Sequence, residues 1–176
     1  TPFGSAANTA GIFAARYPGD KGNGLRVGLF ANSLNSNAWS AWTSNSVPYA
    51  EQFDSIPGTS SFVASRGGAN DEIHIIVIDE LGKFTGTPNT ILEKFAYVSK
   101  ASDAKNDDGS SNYYVNVIND RSKFVYAINH ANGASNWGNP SANTTFNHGI
   151  ADYYNSVLKG GVTNEVSSGD LNIAYD

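Results

Sequence analysis

The run from Glu72 to Asp79 constrains this chain most. Ile73, Ile75 and Val77 alternate on one side of an extended segment, and His74, Ile76 and Ile78 on the other. Both sides are mostly apolar, so the run reads as a strand covered on both faces. Asp79, Glu80, Leu81 and Gly82 supply turn chemistry, with Gly82 able to take positive φ. Lys83, Phe84 and Thr85 are expected to return antiparallel, before Gly86, Thr87, Pro88 and Asn89 stop them.

Residues 90–99 fit two templates. Ile91, Phe95 and Val98 would line a helix; Ile91, Phe95 and Tyr97 would share a strand face, and the β-branched and aromatic content favours the strand. Ser99 to Gly109 is polar and reads as an exposed loop. Ser110 or Ser111 is expected to cap a helix opening at Asn112, Tyr113 and Tyr114, in which Tyr113 with Val117 and Tyr114 with Ile118 are i,i+4 pairs. Residues 123–129 read as another strand. Near the N-terminus, alanine-rich Ala6 to Tyr17 predicts a helix ended by Pro18 and Gly19. Gly19 to Gly24 matches neither the spacing of a phosphate-binding loop nor a dinucleotide fingerprint, and it leads into a strand at residues 25–30, so it reads as a structural turn.

Two long regions are poor in periodic pattern. Residues 32–70 are rich in Asn, Ser and Gly and hold Trp39, Trp42, Tyr49, Phe53 and Phe62; residues 130–149 hold Trp137 and the formal glycosylation sequon Asn143, Thr144, Thr145. Their tryptophans are either anchors that pin loops or a platform for stacking sugars. Ile150 to Leu158 fits a helix or a strand, and Ser168 to Leu171 reads as the start of a helix.

At 176 residues and 40% hydrophobic content the chain suits one domain, 1–176, with a real core. Only 15% of residues are charged, and 21 Asn and 20 Ser carry the polar surface, a leaning seen in viral-particle and adhesive proteins. A net charge of -5 with no basic run argues against a nucleic-acid partner. Without cysteine there are no disulfides, thiolate zinc sites or thiol nucleophiles. No stretch approaches the ~20 apolar residues of a membrane span. The absence of methionine suggests a piece of a longer or processed chain.

No chemistry assembles from the pattern. His74 sits inside the main strand and reads as a hydrogen-bonded, partly buried histidine; His130 and His148 share a loop but not a metal-ligand spacing. Asp103 to Gly109 resembles a calcium loop at first, yet Ala104 stands where a ligand is required and no closing Glu follows. The pairs Asp71, Glu72 and Asp79, Glu80 read as solvated ends of a strand. No catalytic, cofactor or metal residue is expected, and the chain reads as a non-enzyme.

One resemblance is specific. Asp79 to Pro88 followed by Ile91, Leu92, Glu93, Lys94 and Phe95, then Ser99 to Lys105 and Gly109 to Tyr114, is similar to the tail sheath proteins of contractile-tailed bacteriophages. Ala15 to Gly19 with Gly22 to Val27 upstream, and Leu158 to Gly161 with Ala174 to Asp176 downstream, agree in order. The resemblance is strongest at 72–123 and thin at 32–70 and 130–155. It favours a strand near Tyr154 to Leu158. It implies an internal domain of a larger sheath protein, found in the virion after assembly in the bacterial cytoplasm. There the full subunit stacks as hexameric rings around a tail tube and contracts during infection, with no cofactor; the isolated piece is expected to be monomeric. The alternative is a carbohydrate-binding or adhesive module on a virion surface, resting on Trp39, Trp42 and Trp137. The expected fold is α+β: a β-rich, mostly antiparallel sheet or two-layer sandwich with several short flanking helices.

Overall fold

A four-stranded antiparallel sheet forms around the Glu72–Asp79 run. The computed structural model describes residues 12–31, 37–131, 135–148 and 153–162. In chain order the elements are β1 (Phe13–Ala15), β2 (Leu25–Ala31), the one-turn helix α1 (Ala38–Ala41), β3 (Thr43–Ser44), β4 (Val47–Pro48), the one-turn helix α2 (Ser61–Ala64), β5 (Glu72–Asp79), β6 (Thr90–Ser99), α3 (Tyr114–Arg121), β7 (Val125–Ala127) and β8 (Tyr153–Val157). The main sheet runs β6-β5-β2-β8; β1 pairs with β7, and β3 with β4. All of these pairs are antiparallel, and the α+β class holds.

Register explains the two apolar faces of β5. Leu29 faces Ile75 and Val27 faces Val77, while Gly28 faces Ile76 and Phe30 faces His74. Because paired residues share a side, the first set joins Tyr114, Val117 and Ile118 of α3 and Val125 and Ala127 of β7 in one core. The second joins Ala38, Trp42 and Tyr49 in another, with Trp39, Val47 and Phe53 packed against it. The sheet is thus covered on both faces: by α3 with the small β1–β7 sheet on one, and by the 37–53 segment on the other. A third, smaller core of Val63, Ala101, Ala104 and Phe146 ties α2 to two loops.

Several local expectations change. The partner of β5 is β6, not residues 83–85. Asp79 Oδ2 accepts the N–H groups of Phe84 and Thr85 at 2.9 and 2.8 Å and the Thr85 hydroxyl at 2.9 Å, so those donors are taken by a clamp before any ladder can use them. Gly82 does adopt φ 71 in this turn. In the span read as an N-terminal helix, Phe13–Ala15 is a strand: pairing with β7 overrides alanine's helix preference. Residues 6–11 of that span lie outside the described residues, as does the helix expected at Ser168. The 123–129 strand shortens to β7. Helix α3 starts at Tyr114 with Tyr113 at its N-cap and no side-chain cap bond; Ser111 Oγ instead accepts the Tyr113 N–H at 3.3 Å. Gly19–Gly24 is a 3-10 turn leading into β2, and residues 153–157 are a strand.

Candidate functional site

Three places in the fold hold side chains whose arrangement asks for a reason. The first is a corner at one end of the sheet. Glu80 N–H donates to Gly24 O at 2.9 Å, Lys83 Nζ to Asp20 O at 2.8 Å, and Leu158 N–H to Leu25 O at 2.8 Å. Asn23 exchanges two bonds with Gly161, Nδ2 to the carbonyl at 2.7 Å and Oδ1 from the N–H at 2.8 Å. Arg26 pairs with Glu80, and Tyr17 stands edge-on to Phe84 with ring centroids 4.9 Å apart. Burial pushes the Asp79 carboxyl up, but its Thr85 and Phe84 donors outweigh that and hold it below the usual carboxylate range. Leu81 projects from the corner, 56% exposed.

The second is a buried lysine. The 99–109 stretch is exposed only in part: Ser99, Lys100, Ala101 and Ala104 are buried, whereas Lys105, Asp107, Asp108 and Gly109 are exposed as expected. Lys100 Nζ donates to Asn70 O at 2.8 Å and Asn147 O at 3.2 Å and lies 5.1 Å from the Trp137 ring. Burial lowers its pKa to about 7, against a smaller upward pull from Asp71. Its folded value lies below its unfolded one, so this lysine makes stability rise as pH climbs from about 7 towards 10.5. Asp71 is buried too, and accepts Ser60 N–H at 2.8 Å, the Ser60 hydroxyl at 2.9 Å and the Ser99 hydroxyl. Asp71 and Asp79 are therefore internal clamps, not the solvated strand ends that the sequence suggested. Asp103, the first residue of the apparent calcium loop, spends both oxygens on Ser141, accepting its N–H at 2.8 Å and its hydroxyl at 2.9 Å. Across this cysteine-free chain, Asp71 and Asp103 fasten serines of distant segments, and Asp79 fastens Thr85 within its own turn.

The third is an aromatic layer around His74. The imidazole stacks on Phe53 at 4.3 Å and meets Tyr97 edge-on at 4.5 Å. Its Nε2 contacts Ser55 O at 2.8 Å, and Tyr97 N–H donates to Nδ1 at 3.1 Å. A carbonyl on one side and an N–H on the other require the neutral ring with its proton on Nε2. Burial lowers its pKa to about 4, and the Ser55 carbonyl and Asp54 only partly oppose this. The Tyr97 N–H is free for this bond because β6 slips register opposite His74, where Tyr97 takes φ 53.

No family model matches this chain, and no curated protein matches it. Among the described residues no group of three or more His, Asp or Glu could hold a metal ion, and no helix is long and apolar enough to cross a membrane. His130 is held by Tyr114, whose hydroxyl lies 2.7 Å from its Nδ1. Trp42 is fully buried, and Trp137 is 4% exposed with its Nε1 donating to Asn147 O at 2.8 Å. Both are anchors, which removes two of the three tryptophans from any sugar platform. Trp39 alone is half-buried, beside an open groove of about 340 Å³ lined also by Ser40, Pro48, Ala50, Glu51 and Phe53.

Proposed function

We propose that this chain is a structural domain of a contractile bacteriophage tail sheath protein. In this reading it acts without chemistry: the full subunit stacks around a tail tube in the virion, and contraction draws on subunit contacts that have two stable arrangements. The observation that carries the reading is spatial. The pieces resembling the family are scattered through the sequence, yet four of them, 15–19, 22–27, 79–88 and 158–161, meet at the corner where Asn23 bonds Gly161 across 138 positions. Two further pieces, 99–105 and 109–114, pack against each other: Ser99 N–H donates to Asn112 O and Asn112 N–H to Ala104 O, each at 2.8 Å. A resemblance that follows a folded unit is better support than one confined to a single stretch.

The test is negative-stain electron microscopy of the full gene product that carries this chain, with light scattering of the chain alone. Tubes or stacked rings from the full product are expected, with a monomeric isolated chain. A discrete soluble species that never forms tubes under assembly conditions would remove the reading.

A further inference from the structure

We propose that the groove beside Trp39 is a binding site for a neutral pyranose ring, such as a terminal sugar of a cell-surface glycan. The site is independent of the assembly reading, since none of its lining residues belongs to the pieces that resemble sheath proteins.

The wall comes first. Trp39 is half-buried and held by packing from behind: its ring centroid lies 5.0 Å from Phe30, 5.8 Å from Trp42 and 5.7 Å from His74. Phe53, also on the groove, stacks on Trp42 at 5.7 Å and on His74 at 4.3 Å. Both aromatic walls are therefore set before any ligand arrives, which lowers the ordering cost of binding. Polar lining comes next. Glu51 and Ser40 are exposed; the Ser40 hydroxyl already donates to Asn37 O at 3.1 Å, leaving its oxygen as an acceptor. None of the six lining residues is cationic. Such a lining offers phosphates and acidic sugars no cation of its own, the nearby Lys94 ammonium being held on Gln52 O at 3.0 Å, and asks for a ligand that donates hydrogen bonds while offering a flat C–H face to an indole. Vicinal hydroxyls on a pyranose do both. Behind Trp39 and Phe53, the fully buried Trp42 has an Nε1 with no hydrogen-bond partner among the described residues. At 340 Å³ the groove sits at the small end of ligand pockets, which run from about 300 to 1,000 Å³, and suits one or two rings.

The chain has three tryptophans, so a ¹H–¹⁵N spectrum contains three indole signals. Trp39 and Trp42 belong to one core and Trp137 to another, which makes Trp137 an internal control. Titration with glucose, galactose and N-acetylglucosamine, as monosaccharides and short oligomers, is expected to shift the Trp39 and Trp42 signals saturably in the millimolar range, leaving Trp137 still. Trp39→Ala should weaken binding by about tenfold or more, and Glu51→Gln by several-fold. Glu51→Gln and Ser40→Ala alter exposed side chains, so they report on the site even if Trp39→Ala fails to fold. The proposal is overturned by any of four results: no saturable shift, equal movement of Trp137, unchanged binding in Glu51→Gln and Ser40→Ala, or a response to methylammonium and lysine but not to sugars. That last result would assign the groove to a cationic side chain instead.

Discussion

Strand β2 presents Val27 and Leu29 to one core and Phe30 to the other, and the two sides of the sheet solve the problem of burial differently. On the Val27 side the cover is regular: α3 and β7 bring Val117, Ile118, Val125 and Ala127, and Asn119 closes the free edge of β7 by accepting Ala127 N–H at 2.9 Å and donating to Ala127 O at 3.1 Å. On the Phe30 side the cover is a segment of short turns and two-residue strands, and ring area does the burying. Trp42 touches Phe30, Trp39, Tyr49 and Phe53 with centroids 5.5 to 5.8 Å apart. Large rings let an irregular segment cover a sheet, because each buries 150–250 Å². The cost is polar: Trp42 Nε1, Arg26 Nε, Glu80 Oε2 and Asn155 Oδ1 on that side have no hydrogen-bond partner among the described residues. The same side carries the neutral histidine. The side under regular elements also buries Tyr114 and Trp137, so what sets the irregular side apart is the deeply held neutral His74 and the open groove beside Trp39.

Truncation should separate the two sides most. Trp42→Ala is expected to cost about 3–5 kcal/mol and Ile75→Ala about 2–5 kcal/mol in urea denaturation, with the larger loss at Trp42 because four ring contacts go at once. Equal losses would mean that the 37–53 segment collapses into the void. Acid should act on the aromatic side. His74 has its pKa lowered to about 4 in the fold and near 6.5 in the unfolded chain, so the unfolded state binds more protons between those values. Stability present above pH 6.5 is then lost as pH falls to 4, by as much as ~3 kcal/mol. Comparison of denaturation midpoints for the native chain and His74→Gln over this window checks it: the variant's curve should be flatter, and parallel curves would refute the assignment. A smaller effect is expected at Gly28, where a Cβ would come within 2.9 Å of Ile76 Cγ2 and 3.2 Å of both Tyr49 Cε2 and Asn155 Oδ1. Gly28→Ala should cost about 1–3 kcal/mol and move the Tyr49 ring, visible in its proton shifts. Asn119→Ala, on the aliphatic side, should cost only about 1 kcal/mol in the same denaturation assay and speed hydrogen exchange at Ala127, whose N–H loses its acceptor.

Legibility followed how local each cause is. The strands at 72–79 and 90–99 were readable because alternation and β-branched content are written in neighbouring residues. The two-sided cover of β5 was readable for the same reason, since apolar residues stand at both parities. Residues 83–85 were misjudged because a fitting return strand was also within reach of the Asp79 carboxylate, and the clamp won. Phe13–Ala15 was misjudged because helix propensity is worth only tenths of a kcal/mol per residue, less than pairing with β7 supplies. Of the groove, Trp39 and Phe53 stood out among Asn- and Ser-rich residues, but nothing in the pattern told Trp39 apart from Trp42.

The sequence alone determined the α+β class, the central strand and its two apolar faces, because alternation acts between nearest neighbours whatever the rest of the chain does. The pieces on which the proposed sheath reading rests were also visible there. Only the tertiary structure decided that 15–19, 22–27, 79–88 and 158–161 meet at one corner, that Lys100 is buried and that one tryptophan of three remains open. A lysine leaves water only when Asn70 and Asn147 bring their carbonyls to it from positions 30 and 47 residues away. No local rule encodes such a closure, since its energy exists only after the chain has folded around it.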